Sequence, residues 1–379
     1  MAFLPKNALP HRNSLFENSN PILFGNANSV KSVRGALGKE SRRHWPSWGL
    51  ALFLFASAGY LVSFAGRLFC QSIPARIFAA FAVFVFTSLL FLIGHDACHG
   101  SLTGNATLDK TIGRLSFLPS YHPYTAWEYT HNVLHHGMTN VRGRDPVFAP
   151  LSKAEYDSLP AAGRWIHRMY RTTMGLGIYY FVEVWWKLEL FPTGRFRPPN
   201  NRLTRFQFDR LCVLGFAAAQ CALVIGSRRT SIADCCAALA TNIVLPFALF
   251  NFAIAFAIFL HHTHPRIPWY GSARDYSFFR SQVISSSHIQ FPVLLHTFLL
   301  HIMDHTAHHV DARVPLYNLH VAQRQLEGTY PTRIVVDVFS FRAWARIIRT
   351  CRLYDYERHI WLDYDGEQLA VVLEGRLSS

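Results

Sequence analysis

Three short stretches, GHDACH, HNVLHH and HTAHH, hold eight of the chain's 20 histidines. Neutral imidazole is the commonest protein ligand for transition metals. On a helix, side chains three or four residues apart share a face. That spacing turns His95 and His99 together, sets His131 and His135 together with His136 beside them, and groups His305, His308 and His309. Each stretch is therefore part of a preformed metal site. A structural zinc takes four ligands and a catalytic one three plus water, so eight histidines exceed the needs of one ion. Two ions with about four nitrogens each fit better, and imidazole suits Zn, Cu, Fe and Ni alike. FLHHTHP adds His261, His262 and His264. Of these, His262 is the favoured ninth ligand, with His264 and His301 as rivals. Asp96, Glu128 and Asp304, and also Asp311, are candidates to orient the imidazoles from behind. His11, His44, His167, His320 and His359 read as solvated, His122 and His288 as loop residues, and His296 as a locally bonded one.

Such clusters need rigid elements to bring them together. Only 16% of the residues are charged and 50% are hydrophobic, against about 25% charged in soluble chains, so the chain reads as a membrane protein. Uncharged runs at 48–66, 77–94 and 235–260 are long enough to span, given that about 20 apolar residues cross a bilayer. A shorter run at 211–226 borrows flanking residues such as Phe206 and Phe208. Four spans result, read as two hairpins. Of the 37 Lys and Arg, 33 fall on one side of these spans and 4 on the other. The positive-inside rule then places both termini, the long central loop and the histidine stretches in the cytoplasm. The net charge of +14 follows from this asymmetry, and no basic block suggests nucleic acid. The expected fold is an all-α integral membrane protein whose cytoplasmic helical cap holds a histidine-rich di-metal site. Residues 1–45 read as a mobile basic tail without a signal-peptide core, 46–330 as the membrane domain and its cap, and 331–379 as an amphipathic segment. Residues 171–191 read as an interfacial helix rather than a fifth span. The seven cysteines form no CxxC pair, so no local zinc ribbon or iron–sulfur motif is present.

In GHDACHGSL, in THNVLHHGMTN preceded by Trp127 and Glu128, and in MDHTAHHVDARVPLYNL, the chain resembles the membrane fatty-acid desaturases, the histidine-box di-iron family. FLHHTHP is similar to the segment closing the fourth span in the omega-6, or delta-12, acyl-lipid branch. The resemblance covers roughly residues 95–326. One departure is the three residues between His131 and the His135–His136 pair, where many members have two. The resemblance implies two non-haem Fe ions held by the histidines, O2 as co-substrate, and insertion of a cis double bond into a fatty acyl lipid or acyl thioester. It also implies a separate electron donor of ferredoxin or cytochrome type, since the chain has no HPGG haem motif. A membrane hydroxylase or ketolase with the same metal site is the alternative. A metal transporter fits poorly, because transporters place their ligands near the bilayer midplane and these spans lack histidine in their interiors.

Overall fold

The structure is a computed structural model that describes residues 27–70, 72–227 and 231–372. Four helices are long and apolar enough to cross a membrane: Pro46–Phe69, Pro74–Cys98, Asn200–Gly226 and Ile232–His262. Proline occupies the first turn of the first two, where an N–H would have no intrahelical partner. Ser72 caps the second by accepting from the Ala75 N–H, and Ser231 caps the fourth through the Asp234 N–H. Behind the second span, Gly100 adopts φ 70°, the left-handed conformation that ends helices. His95 and His99 thus sit on a defined helix end. The third span starts at Asn200 rather than at its uncharged run, because polar residues extend the helix without adding hydropathy. Phe55, Leu61, Val62, Phe78, Phe81 and Leu211 project from the spans into the surroundings. Such exposed apolar faces are rare on soluble monomers and suit acyl chains.

The chain divides into two compact units. One comprises Arg43–His131 and Leu176–Ala257 and holds most of the four spans. Its core is aromatic. Phe91 has its ring centroid 5.0 Å from Phe117, 4.8 Å from Trp127 and 5.1 Å from Phe250. A Cβ on Gly94 would lie 2.6 Å from the Phe117 ring, so the residue before His95 is a glycine for close packing. Buried Asp209 on the third span ties down the segment leading to His131. It accepts from Arg114 Nε at 2.8 Å and from the Thr125 N–H at 2.9 Å.

The other unit comprises Met1–Arg42, Asn132–Gly175 and Ile258–Ser379, of which residues 1–26 and 373–379 lie outside the described residues. Two small sheets qualify the all-α expectation. Strand β1 (Ser287–Gln290) pairs in parallel with β2 (Val335–Val338), Ser287 opposite Val335. Strands β3 (Leu353–Asp355), β4 (Ile360–Leu362) and β5 (Gln368–Val371) form an antiparallel sheet. Leu353, Ile360 and Leu362 from that sheet pack with Tyr156. The expected amphipathic segment is thus a helix, Phe341–Thr350, followed by a sheet. The helix buries Trp344 and Ile347, while Phe341 at its start is exposed. Residues 27–42 of the expected mobile tail are folded within this unit. Ala27–Gly35 is helical, Arg34 Nε donates to the Val310 carbonyl at 3.0 Å, and Arg42 pairs with Asp311 at 2.8 Å.

Candidate metal centre

In the unit holding most of the spans, His95, His99 and His131 converge. Their ligand atoms lie within 4.8 Å of one another, and His95 Nε2 is 2.9 Å from His131 Nε2. His95 and His99 come from the end of the second span. His131 comes from a π-helix, Glu128–His135, and the Trp127 ring stacks on its imidazole with centroids 4.9 Å apart.

In the other unit, His135, His262, His305 and His309 form a fully buried group, again within 4.8 Å. His305 Nε2 is 3.0 Å from both His262 Nε2 and His309 Nε2. The outer nitrogens are anchored. His135 Nδ1 lies 3.0 Å from Asp145 Oδ1, His262 Nδ1 lies 3.0 Å from the Ser285 carbonyl oxygen, and His309 Nδ1 lies 2.8 Å from Gln282 Oε1. Because these oxygens accept, each Nδ1 carries the hydrogen and each Nε2 turns a lone pair inward. Burial holds His305 and His309 well below the ordinary imidazole value, which keeps them neutral. Several inward lone pairs at this separation repel one another unless a cation lies among them. An ion about 2.0–2.1 Å from each nitrogen wants those nitrogens roughly 3.0–3.4 Å apart. The donor set therefore fits a transition metal. His136 and His308 make a further pair, Nε2 to Nε2 at 3.1 Å.

The expected pairing of His131 with His135 does not hold. The wider i→i+5 winding of a π-helix breaks the i, i+4 register, and the two imidazoles join different groups. His262 joins the four-histidine group, whereas His301 and His264 do not. His301 faces Asp304 and His320, and His264 Nε2 lies 3.3 Å from Asp337. His261 stacks on His305 with centroids 3.6 Å apart. Among the expected orienting carboxylates, Glu128 is paired with Arg202 at 3.1 Å and Asp311 with Arg42 and Arg313. Asp96 accepts from Ser101 Oγ at 2.5 Å, and Asp304 is met by His288 and His296. Behind His135, His309 and His262 the oxygen acceptors are Asp145, Gln282 and the Ser285 carbonyl, none of which has a spacing that could have announced it. His122 is no ligand. Burial pushes it down to about 3, and it sits between the Ser120 carbonyl and Tyr180 Oη.

A family model described as fatty acid desaturase matches residues 72–340. An omega-6 fatty acid desaturase, chloroplastic, of Glycine max is 26% identical over 272 residues, covering 71% of this chain and 60% of that protein. An sn-1 oleoyl-lipid 12-desaturase of a Picosynechococcus species is 26% identical, covering 73% of this chain and 76% of the relative. An sn-1 acyl-lipid omega-3 desaturase (ferredoxin) of a Nostoc species is 28% identical, covering 61% of each. The chain spans about 60% of the length of the soybean relative.

Proposed function

The chain belongs to the fatty acid desaturase family, and we propose that it inserts a cis double bond into a fatty acyl chain, using O2 and external electrons. The observation that supports this reading best is the buried group His135, His262, His305 and His309, whose inward nitrogens fit a metal. In this reading two irons are held, one by His95, His99 and His131 and the other by the buried four, with His136 and His308 completing the ligand set. When bound, the irons supply reductive activation of O2 and removal of hydrogen from an unactivated methylene. The protein's own part is orientation and dryness. Asp145, Gln282 and the Ser285 carbonyl fix the tautomers, and burial keeps His305 and His309 unprotonated.

The four apolar helices cross the membrane as two hairpins in this reading, with the basic side and both termini in the cytoplasm. The substrate is an acyl lipid, as the names of the cyanobacterial relatives state for those proteins. The electron donor is a separate protein of ferredoxin type, again as one relative's name states. An acidic donor would suit the chain's net charge of +14. A hydroxylase with the same ligands differs only in the second step, oxygen insertion instead of a second hydrogen removal.

The test is metal and product analysis of the purified full chain. Wild type is expected to hold two irons and to convert acyl lipid only with O2 and reductant. His308→Ala is expected to insert into membranes normally and lose activity. Full activity in His308→Ala would overturn the ligand assignment, and oxidation without iron would overturn the reading itself.

A further inference from the structure

A second polar cluster lies outside the nine histidines, around Asp304. Asp304 is buried, and three imidazoles face it. His288 Nε2 lies 2.9 Å from Oδ1, His296 Nε2 lies 3.1 Å from Oδ2, and His301 Nδ1 lies 3.6 Å from Oδ2. The ligand atoms of His288, His296 and Asp304 all lie within 4.8 Å of one another. Behind His288, Nδ1 lies 2.6 Å from Glu327 Oε1, and Glu327 also accepts from Gln323 Nε2 at 2.9 Å. His301 Nδ1 is buried and has no hydrogen-bond partner, since 3.6 Å is too long to count.

We infer that His288, His296, His301 and Asp304 form a third metal site, a closed structural site for zinc.

Three nitrogens and one carboxylate oxygen match the four-ligand tetrahedral set of structural zinc. Nitrogen donors argue against calcium and magnesium, which take oxygen. Glu327 and His288 repeat the carboxylate–histidine–metal arrangement, with Nδ1–H on the carboxylate and Nε2 free for the ion. A zinc ion on His288 Nε2 also neutralises two nearby carboxylates, Asp304 and Glu327. The spacing asks for little movement of His288, His296 and Asp304, since ligands about 2.0–2.1 Å from zinc are roughly 3.3–3.4 Å apart in a tetrahedron. His301, 3.6 Å from Asp304 Oδ2 and outside that 4.8 Å group, closes in to complete the set.

The backbone supplies a separate argument. Leu300 and His301 both hold left-handed φ, 51° and 59°, which costs a non-glycine residue on the order of 1–2 kcal/mol each. That turn delivers His301 to the cluster, and such strain persists only where the surroundings fix it. The four ligands also come from separate pieces of chain. His288 lies on β1, His296 on the helix Val293–Phe298 and His301 on the strained turn. Asp304 is the residue before the helix His305–Val310, which carries three of the buried imidazoles described above. A zinc here would clip that helix's entry to β1. The ion would be structural, because four protein ligands leave no place for substrate.

The site is tested by counting metals on the purified full chain, first stripped with chelator and then titrated with Co(II), which reports tetrahedral nitrogen sites in the visible spectrum. Wild type is expected to bind one equivalent more than His296→Ala, and zinc is expected to displace that equivalent. Glu327→Gln removes no ligand and guards against misfolding in His296→Ala. It is expected to weaken the same equivalent about 10–100-fold while the others are unchanged. Equal stoichiometry and affinity in wild type and Glu327→Gln would overturn the proposal, whatever His296→Ala does. Because neither variant touches the nine histidines, iron content and acyl-lipid oxidation fail or succeed separately from this count.

Discussion

Asp145 shows how one side chain outside the histidine stretches holds a proposed metal ligand in place. Its carboxylate takes the Nδ1–H of His135 and the Asn140 N–H at 2.9 Å, so it fixes both the imidazole and the turn behind it. Loss of such an outer partner typically costs 10–100-fold in metal affinity. Asp145→Asn is therefore expected to insert normally and lose iron to a chelator at about 10–100-fold lower concentration than wild type. Unchanged chelator resistance would show that Asp145 orients nothing. Glu189 is a residue of another kind. It is buried, with Oε1 2.5 Å from Thr130 Oγ, while the Thr130 hydroxyl also points to the Ala126 carbonyl at 3.1 Å. The Thr130 hydroxyl donates to that carboxyl oxygen, and Glu189 Oε2 is buried with no hydrogen-bond partner. Burial pushes the Glu189 carboxyl up to about 8. A folded value raised above the unfolded 4.5 means that stability is full below about pH 4.5 and is lost as pH rises toward 8. At about 1.4 kcal/mol per unit, the ceiling on that loss is on the order of 5 kcal/mol. Glu189→Gln is expected to flatten the fall of thermal midpoint between pH 5 and 8 (a window set by those two values) and to leave the variant no less stable at pH 8. Parallel pH profiles for the two proteins would contradict a neutral Glu189.

At the scale of elements, the four helices long and apolar enough to cross a membrane were legible because hydropathy and length are written directly in the sequence. Their ends were less so. Residues 200–210 are helical but mostly polar, and only Pro199, the residue before the helix, marks where it begins. The three histidine stretches were legible as metal-binding pieces, but the π-helix Glu128–His135 was not, since nothing in HNVLHH distinguishes i→i+4 from i→i+5 winding. The cluster at Asp304 was illegible for a different reason. His288, His296 and His301 have no common periodicity, and only the pairing of His288 with Asp304 across an isolated bridge brings them together. Glycine is the element-level control on the histidine pair of the second span. A side chain at Gly94 would collide with Phe117, whereas a Cβ at Gly66 would meet nothing within 4 Å. Overpacking of this sort costs about 1–3 kcal/mol, and here it also shifts His95. Gly94→Val is expected to lower the thermal midpoint in detergent and the iron content together, while Gly66→Ala leaves both unchanged or slightly raised. Equal behaviour of the two variants would mean that the Gly94 contact does not position the helix end.

The whole molecule combines four helices long and apolar enough to cross a membrane, a net charge of +14 and clustered histidines that could hold metal. Desaturation, hydroxylation and transport make different demands on that assembly. Desaturation needs a dry set of ligands, an acyl chain and electrons from outside, and the histidine groups at the helix ends suit it. Mass spectrometry of fatty acids from a host that lacks polyunsaturated lipids, with and without this chain, separates the three. The expected result is a new diene that appears with the wild-type chain and is absent with His308→Ala. Hydroxylated acyl chains, or an unchanged fatty-acid profile from an iron-loaded protein supplied with electrons, would contradict the assignment.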